Sequence, residues 1–333
     1  MKRGKQTLSF DHGVFLKNGA AIVGTKEGQG PLGDQFDVVL EDDSWGEDSF
    51  EKAERKMFRE ALIAAKRKAG LTDDQPDLVI GGDLLNQIVS ASFAARDLKV
   101  PFLGVYGACS TICESMLVAA SMIDGGFADN VLCAASSHFA TAERQYRFPL
   151  EYGSQPQPTS QWTVTGAGCS VLSSEPSAIR LTAGTVGKIV DLGIKDAANM
   201  GAAMAPAAAD TLDAFFRETE TTPETYDLIV TGDLGKLGKS ILWDLMEQKG
   251  YDLAHRLNDC GCMIFYPGQT APMGASGCGC AATVFNGAIR PAMEKGALNK
   301  VILCATGAML SPTTAFQGES IPGIAYALAF ERC

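Results

Sequence analysis

The stretch Asp77–Leu84, DLVIGGDL, returns 150 residues later as Asp227–Leu234, DLIVTGDL. Each is a short apolar run ending in Gly-Asp-Leu, the pattern of a strand buried on both faces that turns sharply at its end. Further along, Gly107–Ser110 (GACS) and Gly274–Gly277 (GASG) each open a helix. Each helix closes at a glycine, Gly126 or Gly296, and leads into a strand, Val131–Ala134 (VLCA) or Val301–Ala305 (VILCA). Two matches in the same order predict an internal duplication, with halves at 1–175 and 176–333.

Outward from these motifs, apolar patterning predicts strands at Ala20–Thr25, Asp77–Gly81, Phe102–Tyr106, Val131–Ala135 and Thr163–Ser174. The second half adds Ala178–Leu192, Tyr226–Thr231, Val301–Ala305 and Ile324–Phe330. Helices are predicted at Glu47–Ala69, Leu85–Leu98, Ser110–Asp124, Ala202–Glu218, Gly235–Lys249 and Gly277–Lys295, the last interrupted at Pro291. His138–Gln161 reads as a long polar connection. Buried strands separated by helices predict an α/β fold of parallel organisation.

The 333 residues carry 28 Lys and Arg against 39 Asp and Glu, a net charge of −11. This balance argues against nucleic acid and against electrostatic docking on anionic lipid, since both need basic surface. Apolar residues make up 46%, enough for a large core, so the ten cysteines read as reduced thiols rather than staples. The first ten residues lack the apolar run of a signal peptide. The longest uncharged stretch, Cys260–Ile289, holds six Gly and two Pro and is no membrane span, so any membrane association is expected to be peripheral.

Cys109 and Ser110 fall where a buried strand turns into a helix. Unpaired backbone N–H groups and the helix dipole at such a point favour a thiolate, and the turn presents the side chain at the top of the sheet. A small buried thiol is the plainer reading of the same residue. His138 follows the strand at Val131–Ala135 and is expected at the same crevice. Arg144 and Arg147 are either a solvated face or a pair of guanidinium groups able to hold a carboxylate. The pairs Cys260/Cys262 and Cys278/Cys280 have one intervening residue, a poor match to zinc knuckles, and no metal or nucleotide site is expected.

A duplicated α/β chain with a cysteine at this turn resembles the thiolase-like superfamily, which includes thiolases and type III ketoacyl-ACP synthases. Within it the chain is similar to the stage V sporulation protein AD (SpoVAD) family. The likeness lies in Asn18–Thr25, Gly30–Gly33 (GPLG), Asp42–Gly46 (DDSWG), Gly107–Thr111 (GACST) and Thr231–Gly235 (TGDLG). Its most distinctive block is Ser136–Gly153 (SSHFATAERQYRFPLEYG).

The resemblance implies two duplicated halves in a five-layered α-β-α-β-α arrangement. It implies that the turn after the strand at Val301–Ala305 brings the Gly307 N–H beside that of Cys109, as an oxyanion hole. The superfamily's catalytic His is expected near Thr231–Asp233 and its Asn at Cys278, and neither residue type stands there. The implied function is therefore non-catalytic: binding of dipicolinic acid (pyridine-2,6-dicarboxylate), free or as its calcium chelate, during uptake into the developing spore and release at germination. The expected ligand contacts are Cys109, Ser110, His138, Arg144, Arg147, Asp233, Cys278 and Gly307. The expected partners are membrane-embedded SpoVA proteins, at the inner membrane of the spore, and a homodimer is admitted; no cofactor beyond the ligand is implied. The alternatives are a Cys109-dependent acyltransferase or condensing enzyme with His138 as its base, and a structural subunit with a vestigial pocket.

Overall fold

In a computed structural model, which describes residues 1–146, 156–253 and 255–333, the duplication is written into the order of the sheet. The first half supplies β1 (Thr7–Val23), β2 (Leu78–Asp83), β3 (Phe102–Gly104), β4 (Asn130–Ser137) and β5 (Gly166–Ser173). The second supplies β6 (Ile179–Thr185), β7 (Leu228–Thr231), β8 (Leu257–Asp259), β9 (Lys300–Ala308) and β10 (Gly323–Arg332). The hydrogen-bonded order is β8-β7-β9-β10-β6-β1-β5-β4-β2-β3, a palindrome in which each strand faces its counterpart across the β1–β6 seam. The two quoted octapeptides form β2 and β7 and the turns that follow them.

The sheet is mixed, which corrects the parallel organisation expected from the alternation of strands and helices. β2, β3 and β4 pair in parallel, as do β7, β8 and β9. β5 and β10 run antiparallel to both their neighbours. Apolar runs report burial on both faces but not strand direction.

The principal helices are α1 (Phe50–Lys68), α2 (Val89–Leu98), α3 (Thr111–Asp124), α4 (Phe139–Tyr146), α5 (Met200–Thr219), α6 (Gly235–Gln248) and α7 (Cys278–Val284). Helix α1 starts at Ser49, whose hydroxyl accepts the Lys52 N–H, and buries Ala53, Met57, Phe58, Ala61, Leu62 and Ala65 along one face. It packs with α2 on the outside of the first-half strands, while α5 and α6 cover the outside of the second. Helices α3 and α7 lie between the two sets of strands, and their side chains are apolar or small almost all round. Outer helices, strands, inner helices, strands and outer helices make the five layers.

Helix α4 at Phe139–Tyr146 corrects the polar connection expected over His138–Gln161, and three further elements depart from expectation. β1 begins at Thr7, well before Ala20, and bends at Asp11–Gly13, with a register shift there and Gly13 at φ +95°. Charged residues at the bend and at Lys17 hide its alternation. The predicted strand at Ala178–Leu192 ends at Thr185 and continues as irregular chain, tied back by a bridge from Val190 to Gly323. Helix α7 passes into a π-helical turn at Phe285–Ile289 before Arg290–Glu294, because Pro291 offers no N–H and crowds the preceding turn.

Candidate functional site

The turn before α3 is held by its own side chains. Ser110 Oγ donates to the Gly107 carbonyl at 2.6 Å, and Thr111 Oγ1 donates to the Ala108 carbonyl at 2.6 Å. Ala108 sits at φ +50°, a left-handed conformation that costs an L-residue about 1–2 kcal/mol. The second half grips the same turn. Cys278 Sγ donates to the Ala108 carbonyl at 2.9 Å, and Gly307 approaches so closely that a Cβ there would lie 2.2 Å from the Gly107 oxygen.

This turn presents Cys109, 6% exposed, to a cavity of about 410 Å³. The thiol lies beside the carboxyl of Asp233, which accepts the Gly277 N–H at 3.0 Å and the Thr306 hydroxyl at 2.8 Å. Burial pushes the Cys109 thiol well above its ordinary pKa, and the Asp233 charge adds to the rise. Burial also lifts Asp233 to about 7. The expected thiolate is thus corrected to a neutral thiol, because desolvation and an adjacent carboxylate outweigh the helix dipole.

Of the expected contacts, Cys109, Asp233, Cys278 and Gly307 are brought together around this turn. Cys278 and Gly307 back it, and their neighbours Gly277 and Ala308 line the cavity. Ser110 is spent on the Gly107 carbonyl and is not among the lining residues. His138 is buried away from the cavity beside Phe50. Its Nδ1 accepts the Ala140 N–H at 3.1 Å and its Nε2 donates to the Asp43 carbonyl at 2.9 Å, so both nitrogens are engaged. Burial lowers its pKa, and it is not among the residues that line the cavity. On α4, Ala142, Glu143 and Tyr146 face the cavity, while Arg144 projects outward to an ion pair with Glu51 on α1. Arg147 lies outside the described residues.

The rest of the wall was not read from sequence. Gln161 donates to the Asp233 and Ala275 carbonyls at 2.6 and 2.8 Å, tying the wall to the Asp233 segment. Ser160, 3% exposed, lines the cavity with a hydroxyl that has no partner among the described residues. Tyr106 and Tyr146 add phenols, and Met200, Leu310 and Phe316 supply apolar surface. The charged residues among the described lining are Glu143 and Asp196, both acidic. Among the described residues no group of three or more His, Cys, Asp or Glu side chains is placed to hold a metal ion, and no helix is long and apolar enough to cross a membrane.

The fold is thiolase-like. The chain superposes on 3-oxoacyl-[acyl-carrier-protein] synthase III from Aquifex aeolicus VF5 with a TM-score of 0.59 at 13% identity, covering 96% of this chain and 100% of that one. A cerulenin-bound form of OleA from Xanthomonas campestris gives 0.65 at 16% identity, covering 97% and 98%. Human mitochondrial 3-ketoacyl-CoA thiolase in complex with CoA gives 0.59 at 12% identity, covering 98% and 99%. Within that fold the relationship is narrower: the family model for stage V sporulation protein AD (SpoVAD) matches residues 4–331. Stage V sporulation protein AD of Bacillus subtilis strain 168 is 47% identical over 329 residues, covering 99% of this chain and 97% of that protein. The chain belongs to the SpoVAD family.

Proposed function

We propose that the Cys109 cavity binds dipicolinic acid as its calcium chelate and performs no chemistry on it. The family resemblance supplies the ligand; the charge of the cavity selects its form. The observation that carries the reading is a described lining in which the carboxylate of Asp196 stands among neutral polar and apolar groups. A free dianion would meet like charge there, whereas a one-to-one calcium chelate has no net charge. A volume of about 410 Å³ suits a single small planar ligand. The unpartnered Ser160 hydroxyl offers a hydrogen bond to a carboxylate oxygen. A neutral Cys109 beside Asp233, with His138 engaged elsewhere, favours a binder over an acyl-transfer enzyme. In this reading the protein acts peripherally at the inner spore membrane with membrane-embedded SpoVA partners, in uptake and release of the chelate.

The test is calorimetric titration with dipicolinate in the presence and absence of calcium. Calcium is expected to tighten binding by at least about tenfold. Cys109→Phe, which fills the cavity, is expected to abolish it, and Ser160→Ala to weaken it by about three- to tenfold. Free dipicolinate binding as tightly as the chelate would overturn the charge argument, and binding of neither would overturn the ligand. Intact mass after incubation with an acyl-CoA is expected to show no adduct; an acyl group on Cys109 would favour the enzyme.

A further inference from the structure

We propose that the Cys109 cavity is not a blind pocket but one chamber of a two-mouthed passage, with the second chamber serving as transit site for a small ligand of no net charge. A second cavity, of about 430 Å³, adjoins the first and shares Tyr106, Tyr146, Leu310 and Pro312 with it. Each cavity has its own exposed rim: Asp196, Ala197 and Phe316 on the first, Asn86, Gln87 and Gly104 on the second.

The partition between the chambers includes a hydrogen bond. Tyr106 Oη and Tyr146 Oη lie 3.0 Å apart, and the Tyr146 hydroxyl also donates to the Leu84 carbonyl. Tyr106 is 39% exposed, so its ring is not locked on all sides by core packing. A crossbar held by hydroxyls can open by rotation of two side chains, without moving a strand.

The second chamber suits an uncharged ligand. Its described lining is apolar (Leu85, Ile88, Val105, Met309) or polar and neutral, with no ionisable acid or base other than the two tyrosines. One wall is also strained. Gln87 and Ile88 are consecutive non-glycine residues at φ +58° and +47°, and for a β-branched residue this is an outlier. The Asp83 carboxylate enforces the turn, accepting the Leu85 N–H at 2.8 Å and the Ala91 N–H at 2.7 Å. Such strain persists only where surrounding contacts over-determine it, and it concentrates at ligand sites.

The identity of the ligand rests on the function proposed above; the passage does not, and a neutral thiol reagent tests it separately. In a Cys262→Ser, Cys333→Ser background the remaining cysteines are buried, and Cys109 reports the cavity. Iodoacetamide labelling is followed by intact mass. Ala198→Trp, at the first rim, and Ser311→Trp, in the second chamber, are each expected to slow labelling about two- to fivefold, and together more than about twentyfold. If Ala198→Trp alone gives the full loss and Ser311→Trp none, the cavity is blind and the proposal fails. Ser311→Leu replaces the larger variant if that one does not fold. With calcium dipicolinate, Ser311→Trp is expected to slow association and dissociation by the same factor and leave Kd within about twofold, since closing one route cannot change an equilibrium. Tyr146→Phe is expected to speed both rates. A change in one rate constant alone, with Kd shifting by the same factor, would contradict the passage. Absence of calcium dipicolinate binding in the parent, with the labelling pattern intact, would sink the proposed ligand and leave the passage standing.

Discussion

Asp83 and Asp233 occupy the same place in the two halves, at the end of a buried strand in Gly-Asp-Leu, and they do different work. Asp83 spends both oxygens on the backbone of its own half, accepting the Leu85 and Ala91 N–H groups. Asp233 reaches across the molecule to the Cys109 thiol, Gly277 and Thr306. The turn after β7 is held instead by Asp259, at the end of β8. Asp259 accepts from the Thr231 hydroxyl, the Leu234 and Gly235 N–H groups and the Cys262 N–H, at 2.7 to 3.0 Å. Asp259 pairs in register with Thr231, and the corresponding first-half residue, opposite Gly81, is Gly104, with no side chain to take over. A second aspartate on the neighbouring strand relieves the repeated one of its structural duty, and the relieved carboxyl is the one behind Cys109.

The largest expected effect follows from that division of labour. Asp259→Ala leaves the Leu234, Gly235 and Cys262 N–H groups without their acceptor and should cost about 3–4 kcal/mol in denaturant unfolding. Asp83→Ala strands two backbone donors and should cost about 2–3 kcal/mol. Equal losses would show that Asp233 still helps to hold its own turn.

Each half also buries a pair of carboxyls, and the pairs set a pH dependence. Glu54 on α1 accepts from Ser136 and Thr141, and burial, aided by the charge of Asp83, pushes it up to about 8. Burial lifts Asp83 to about 6, and Asp233, helped by Asp259, to about 7. All three bind protons more tightly in the folded than in the unfolded chain. Their contribution is therefore complete below the ordinary carboxyl range and is lost as pH rises through 6 to 8. A fall in Tm of about 5 °C is expected between pH 5 and pH 8.5, flattened in Glu54→Gln. A Tm that rises across this window would show that these carboxyls are already ionised in the native state.

The symmetric part of the architecture was legible because β2 and β7 are buried on both faces, so their runs stand out and can be matched letter by letter. β1 was not, because Asp11, His12 and Lys17 break its alternation. Asp233 and Cys278 are placed near Cys109 by the family resemblance, which aligns their segments with the superfamily's catalytic positions. Arg144 could not be excluded, since only the helical phase of α4 separates it from Glu143 and Tyr146 at the cavity. The walls at 196–200 and 308–316 come from connections with no periodic pattern, and nothing in their composition marks them.

A smaller effect separates the two aspartates chemically. Asp233→Asn removes the charge that, after burial, does most to hold the Cys109 thiol protonated. Iodoacetamide labelling of Cys109 at pH 8 should then quicken about three- to tenfold, while Asp83→Asn leaves it unchanged. An equal response to the two variants would mean that the carboxyls act through stability rather than through contact with the thiol.

The smallest effect concerns the turn itself. Ala108, at φ +50°, has its counterpart in the other half at Ala275, which lies in a short strand pairing with Trp162. The left-handed conformation is thus particular to the half that carries Cys109. Glycine adopts it without steric penalty but loses more chain entropy on folding, so the two terms oppose each other. Ala108→Gly should stabilise the protein by about 0.5–1 kcal/mol, read as a rise in denaturation midpoint with unchanged slope. If the strained turn serves to aim Cys109, the same variant should bind calcium dipicolinate about two- to threefold more weakly, because the freed backbone samples other orientations of the thiol. Higher stability with unchanged affinity would instead make the strain a by-product of the close approach of Gly307 to Gly107. Lower stability would mean that Ala108 is held by its packing, and that its conformation costs the fold nothing.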